Sequence, residues 1–247
     1  MSDWAIWLSL LFVLVAILLS LWQRLELEKE IAVSTIRMAI QLTVIGYVLQ
    51  FVFHSDHPAL IIGLLMMMIA VASWNAAERG KALPGVLVRV ALTLTATEII
   101  TMALLLGLQM IDSTPRFIVP FSGMIIGNAM IVSGLFLSHM NREMESSRGE
   151  VETLLCLGAT PRQAIQSVLK RSVRTSLIPT FDTMKTLGLV QLPGTMTGMI
   201  IAGANPLEAV RYQILIMFAF TASATISAVL ISLISYKLWF TKEQMLR

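Results

Sequence analysis

Seven runs of predominantly apolar residues, each long enough to cross a lipid bilayer as a helix, constrain this chain more than any other feature. They fall at residues 4–22, 31–53, 59–77, 86–111, 117–140, 187–204 and 214–236. A hydrocarbon core about 30 Å thick takes roughly 20 residues at about 1.5 Å each, and a backbone amide left unpaired inside it is strongly disfavoured, so such runs must be helical. Only 13% of the 247 residues are charged while 56% are hydrophobic, against roughly 25% charged in a soluble domain. The expectation is an all-α, polytopic membrane protein forming one transmembrane domain over residues 1–247. The first run follows MSDW, which has no basic stretch, and no small-residue cleavage site comes after it; it reads as a permanent helix rather than a signal peptide.

Lysine and arginine set the orientation, because short basic loops are retained in the cytoplasm. Arg24 and Lys29, Arg79 and Lys81, a cluster from Arg142 to Lys185, and Lys237, Lys242 and Arg247 fall on one side; Arg116 and Arg211 are alone on the other. The N-terminus is therefore placed outside the cell membrane (the inner one where there are two), with the C-terminus and segment 141–185 in the cytoplasm. The net charge of +3 is accounted for by this asymmetry and calls for no nucleic-acid partner. Cys156 is the single cysteine, which excludes a disulfide framework or a cysteine metal cluster within one chain.

Segment 141–185 is where the chain turns polar. Met144, Val151, Leu154, Leu155 and Leu157 are spaced along one side of a first helix, and Gly158 stands where a helix end favours left-handed backbone angles. Thr160, Pro161 and Gln163 then make the T-x-x-Q capping box with proline at the first helical position. The second helix carries Lys170, Arg171 and Arg174 and is expected to end before Pro179. A helix–turn–helix of this kind is either a solvated connector or a docking surface, and spacing alone leaves both open.

Inside the spans, Arg37 and Arg89 lie near cytoplasmic ends, within snorkelling reach of water. Glu98 falls midway along 86–111 beside Thr95, Thr97 and Thr101, where an ionised carboxylate is disfavoured by at least ~2.5 kcal/mol without a partner. It is either a protonated acid bonded between helices or an acid on a cation pathway. Gln41, Asn75 and Asn128 either join that path or serve as interhelical hydrogen-bond glue. The sixth run is broken by Pro193 and rich in glycine, as are spans near transport sites. Its Gly194-x-x-x-Gly198, like Gly123-x-x-x-Gly127 in the fifth, fits close helix packing or dimerisation. Met196 and Met199 are candidate thioethers on the path, though with 16 methionines in the chain ordinary packing is the simpler role. His54, Asp56 and His57 form a weak candidate metal set without a fourth ligand. Asp182 and Lys185, just before the sixth run, either pair with each other, gate its cytoplasmic mouth or are simple interfacial charges, the last being the default. No hydrolase, zinc-protease or paired-carboxylate constellation occurs, so no covalent chemistry is expected.

The runs LEKEIAVSTIRMAIQLTVIGYVLQFVF (27–53), NAMIVSGL (128–135), LGATPRQA and LVQLPGTMTGMIIAGANPLEAVRYQI (189–214) resemble the FetB-like permeases of the bacterial iron-export ATP-binding-cassette (ABC) transporter family along nearly the whole chain. Plant relatives of that family are linked to aluminium tolerance. Glu152 followed six positions later by Gly158 is similar to the E-A-A-x-x-x-G coupling element of ABC permeases, with Thr153 and Leu154 in place of its two alanines. The resemblance implies a homodimeric permease that binds no cofactor itself and works with a separate cytosolic ATPase holding ATP and magnesium. It further implies export of iron or a related metal ion, and coupling through Glu150, Glu152, Leu154, Leu155, Gly158, Ala159, Thr160 and Pro161. A separate motor agrees with the absence of a phosphate loop: Gly80-Lys81 is followed by Ala82 and lacks the upstream glycine. The residues themselves specify neither cargo nor direction. An ATP-independent cation channel or secondary carrier, a permease for a nucleotide sugar or other non-metal solute, and a non-transporting membrane subunit are the rival readings.

Overall fold

The computed structural model describes residues 3–55, 57–80, 83–241 and 245–246. The described residues form α1 (Asp3–Gln23), α2 (Glu28–Ser55), α3 (Pro58–Glu78), α4 (Val86–Gly107), α5 (Pro115–Ser146), α6 (Arg148–Cys156), α7 (Pro161–Ala164), α8 (Gln166–Thr186), α9 (Gly194–Ile201) and α10 (Pro206–Ser235), followed by a short 3-10 helix, Tyr236–Trp239. The chain divides into two compact units, Met1–His57 and Pro58–Arg247.

The first unit is the hairpin α1–α2. Its turn places Arg24 and Glu26 at φ of 51° and 58°, and Ser20 holds it by donating to Glu28 at 2.8 Å while accepting from the Leu27 amide at 3.2 Å. Glu28 and Glu30 open α2, where acidic side chains face the positive end of the helix dipole.

Among the described residues five helices are long and apolar enough to cross a bilayer: α2, α3, α4, α5 and α10 with the 3-10 turn that follows it. The expectation of seven spans is corrected at the sixth run, which is not a continuous helix. Residues 187–193 form a tight turn in which Gly188 (φ 85°) donates to the Gln191 carbonyl at 2.8 Å, and α9 has only 8 residues. At about 1.5 Å per residue α9 reaches less than half of a hydrocarbon core. Pro193 and the left-handed Gly188 and Gly203 interrupt what the hydropathy presents as one run. The first run is helical, but its described apolar part, Leu8–Gln23, is shorter than the five.

Other boundaries move for identifiable reasons. α4 stops at Gly107, before the expected 111, because Gln109 takes φ 52° and the amides of Met110 and Gln109 close onto the carbonyls of Leu105 and Leu106, a Schellman termination. α10 starts eight residues earlier than expected, where Asn205 accepts from the Leu207 amide at 2.9 Å and Pro206 takes the first helical position. α8 runs through Pro179 to Thr186 instead of ending before the proline. Pro179 is exposed, and buried Ser176, Leu177 and Thr180 anchor the helix on both sides of it.

In the second unit α5 is the hub, packing on α3, α4, α8 and α10. Phe136, Leu137 and Met140 on α5, Val90 and Leu94 on α4 and Ile231 on α10 are fully buried. Val151 of α6, Ala164 of α7, Ile165 at the α7–α8 junction and Val168 of α8 belong to the same apolar cluster. The helix–turn–helix is thus packed into the bundle's core and is not a loose loop. Arg171 of α8 donates to Glu143 at 2.7 Å and to Ser147 at 3.0 Å at the end of α5, and Trp239 donates its indole hydrogen to Asn141 at 3.0 Å. Arg89 donates to the Ile234 carbonyl at 3.0 Å, covering one of the carbonyls that a helix leaves unpaired at its C-terminal end.

Candidate functional site

The elbow between α6 and α8 is built by local hydrogen bonds. The amides of Ala159 and Gly158 close at 3.0 Å onto the carbonyls of Leu154 and Leu155, with Gly158 at φ 87°; an L side chain rarely adopts that angle, which accounts for the glycine. The capping box forms in both directions, the Thr160 amide reaching Gln163 Oε1 at 2.9 Å and the Gln163 amide reaching Thr160 Oγ1 at 3.4 Å. Pro161 follows as the first helical residue. Leu154, Leu155 and Ala159 are half-buried against the bundle core, so most of their apolar surface is already used within the chain. Leu157, by contrast, is 79% exposed. Glu152 receives Arg148 at 2.9 Å, whereas Glu150 is exposed on the opposite side of that turn. Beside the cap, Thr160, Arg162, Gln163, Gln166, Lys170 and Tyr236 line a cleft of about 410 Å³ with cationic side chains on it.

Two polar seams run through the spanning helices. The first lies between α5 and α10. Asn128 donates to the Phe220 carbonyl at 2.8 Å and to Ser223 at 3.2 Å, Ser133 and Ser227 are 2.9 Å apart, and Ser227 reaches the Ala129 carbonyl at 3.2 Å. Asn128 is therefore occupied in joining helices. The second lies along α4. Thr97, Glu98 and Thr101 are 0%, 6% and 2% exposed; neither hydroxyl nor either carboxylate oxygen has a hydrogen-bond partner. Ser122 of α5 faces the Glu98 carboxyl without a well-formed bond. The sequence flagged Glu98 and its threonines; Ser122 escaped notice because a serine beside glycine in an apolar run carries no spacing signal of its own. Thr101 also opens onto an apolar groove of about 360 Å³ between α4 and α10, with Arg211 on its lining.

Gln41 is exposed in the first unit, and Met196 and Met199 are half-buried on α9, which has no buried residue. A Cβ built on Gly194, Gly198 or Gly127 meets nothing within 4 Å, whereas one on Gly123 comes within 3.1 Å of Met68. Of the two glycine pairs only Gly123 supports close packing inside this chain. A close approach the sequence did not announce occurs at Gly134, where a Cβ comes within 3.1 Å of the Arg79 side chain. His54 and His57 are exposed, and Asp56 lies outside the described residues. Lys185 and Asp182 pair at 3.2 Å, both exposed.

Long apolar helices packed around buried polar seams, with a capped helical elbow at one end of the bundle, define a multi-pass helical membrane protein. The chain belongs to the family described as "Uncharacterised protein family (UPF0014)", which matches residues 4–240. "UPF0014 membrane protein YjkA" of Bacillus subtilis (strain 168) is 45% identical over 240 residues, 97% of this chain and 96% of that protein. "Protein ALUMINUM SENSITIVE 3" of Arabidopsis thaliana is 41% identical over 239 residues, 97% of this chain and 88% of that protein. "Probable iron export permease protein FetB" of Escherichia coli (strain K12) is 36% identical over 239 residues, 97% of this chain and 92% of that protein. The expected FetB-like relationship is thus established. No solved structure matches the chain.

Proposed function

We propose that this chain is the permease subunit of an ABC exporter, acting as a homodimer with a separate cytosolic ATPase and moving iron or a related metal ion out of the cell. The metal is inherited from the name of the Escherichia coli relative, a probable iron export permease. The motor is what the resemblance to ABC permeases implies; the lack of a phosphate loop in this chain agrees with it, and the elbow offers a place for it to act. The observation that carries the reading is mechanical. α6, α7 and α8 share one buried cluster with α3, α4, α5 and α10 through Val151, Ala164, Ile165 and Val168, so a push on the Gly158–Pro161 turn is delivered to the membrane helices as a rigid-body displacement. In this reading the elbow faces the cytoplasm, exposed Leu157 and Glu150 meet the ATPase, and the cleft with Arg162 and Lys170 accepts acidic side chains of that partner.

The test uses the chain and its cognate ATPase together in membranes. Leu157→Asp combined with Glu150→Arg alters only exposed side chains, so the fold is kept while metal-stimulated ATP hydrolysis falls several-fold. Full stimulation in that variant, with the two subunits still bound, would remove the elbow from the coupling route.

A further inference from the structure

The second polar seam carries an inference that deepens the exporter reading and depends on it for its physiological meaning. The threonine hydroxyls decide the matter. In a helix a threonine satisfies itself by donating to the carbonyl four residues back. Thr93 does so with Arg89 at 2.8 Å, as do Thr221 with Met217 and Thr225 with Thr221 at 2.8 and 2.9 Å. Thr97 and Thr101, on the same helix as Thr93 and flanking Glu98, do not, and each hydroxyl is buried without any partner. Ser122, 0% exposed, brings a further unpartnered hydroxyl from α5 toward the same carboxyl. Other orphan oxygens, on Ser73, Tyr212, Gln213 and Ser235, are spread over α3 and α10; around Glu98 they are concentrated on one helix face and the facing serine.

A buried polar atom without a partner is strongly disfavoured, and an intramembrane carboxylate more so. A partner from outside the chain would satisfy all of these groups at once. Every atom of the set is oxygen, with no imidazole and no sulfur. Glu98 is the one acid away from the ends of α3, α4, α5 and α10. Oxygen-only ligation around a carboxylate selects hard cations, which exchange part of their water for carboxyl and hydroxyl oxygens. Arg211, near the start of α10, is on the lining of the adjoining groove. We infer that Glu98, Thr97, Thr101 and Ser122 form a binding site for one hard, partly dehydrated metal cation within the bundle.

The site is tested on the purified chain in nanodiscs with no ATPase present, using Mn²⁺ as the probe and reading bound ion by electron paramagnetic resonance. The wild-type chain should show one class of bound Mn²⁺; Glu98→Gln should weaken it at least tenfold, and Thr101→Val or Ser122→Ala by roughly threefold. His54→Ala with His57→Ala should leave it unchanged. No bound ion in the wild-type chain, binding indifferent to Glu98→Gln, or binding lost with the histidines would each overturn the site. Separately, a cation bound through Glu98 together with no ATP-driven flux would retain the site and remove the exporter reading, whereas ATP-driven metal flux undiminished in Glu98→Gln would do the reverse.

Discussion

The α5–α10 seam and the α4 seam use the same kinds of group in the same bundle and end in opposite states. In the first, Asn128, Ser133, Ser223 and Ser227 bond to one another and to carbonyls of the facing helices. In the second, Thr97, Glu98, Thr101 and Ser122 are just as buried and bond to nothing. Burial alone therefore does not separate structure from function in this molecule. The closed seam joins helices through its own hydrogen bonds, whereas in the reading proposed above the open one is kept for a ligand. Hydrogen bonds across membrane helices contribute modestly, about 0.6 kcal/mol on average, so closing the α4 seam would have stabilised the fold only slightly.

The comparison breaks most visibly at Glu98. Glu98→Gln is expected to lower metal transport at least about tenfold, equivalent to roughly 1.4 kcal/mol, while thermal stability in detergent stays level or rises, since a buried orphan carboxylate is removed. A large loss of stability with unchanged transport would reverse the roles of the two seams. Next in size is the elbow pair Leu157→Asp with Glu150→Arg, whose several-fold loss of stimulated ATP hydrolysis should leave both seams and the melting midpoint intact. Asn128→Leu comes third. It opens the closed seam and should destabilise the bundle by about 1 kcal/mol, read from thermal unfolding in detergent, with transport per folded molecule preserved. The smallest effect within one chain is expected at Gly198→Leu. Nothing lies within 4 Å of its Cβ position, so the melting of an isolated chain should not move, while cross-linking between copies should drop if α9 is a contact between them. Unchanged cross-linking would leave Gly198 without a packing role.

Much of the bundle was legible because length and hydropathy are enforced residue by residue in lipid. α2, α3, α4, α5 and α10 follow from that rule, with α10 displaced furthest, at its capped start. The sixth run defeats it because hydropathy does not register backbone angles: Gly188 and Gly203 are left-handed and Pro193 precedes α9. Pro179 misleads in the other direction, as neighbours packed on α5 and α10 carry α8 past it. The elbow was readable to single residues, since Gly158, Thr160, Pro161 and Gln163 act through bonds no more than a turn apart. Glu98 could be found from sequence by its cost in hydrocarbon, but its partner Ser122 lies on another helix, and only tertiary packing brings the two together. The same limit hid Gly134 against Arg79 and the serine pair Ser133–Ser227.

The most direct test of the whole account is metal movement in sealed vesicles containing this chain and its cognate ATPase, measured with and without ATP. The account requires uptake into inside-out vesicles that depends on ATP and falls with Glu98→Gln. Equal movement in the absence of ATP, or driven by a proton gradient alone, would contradict it.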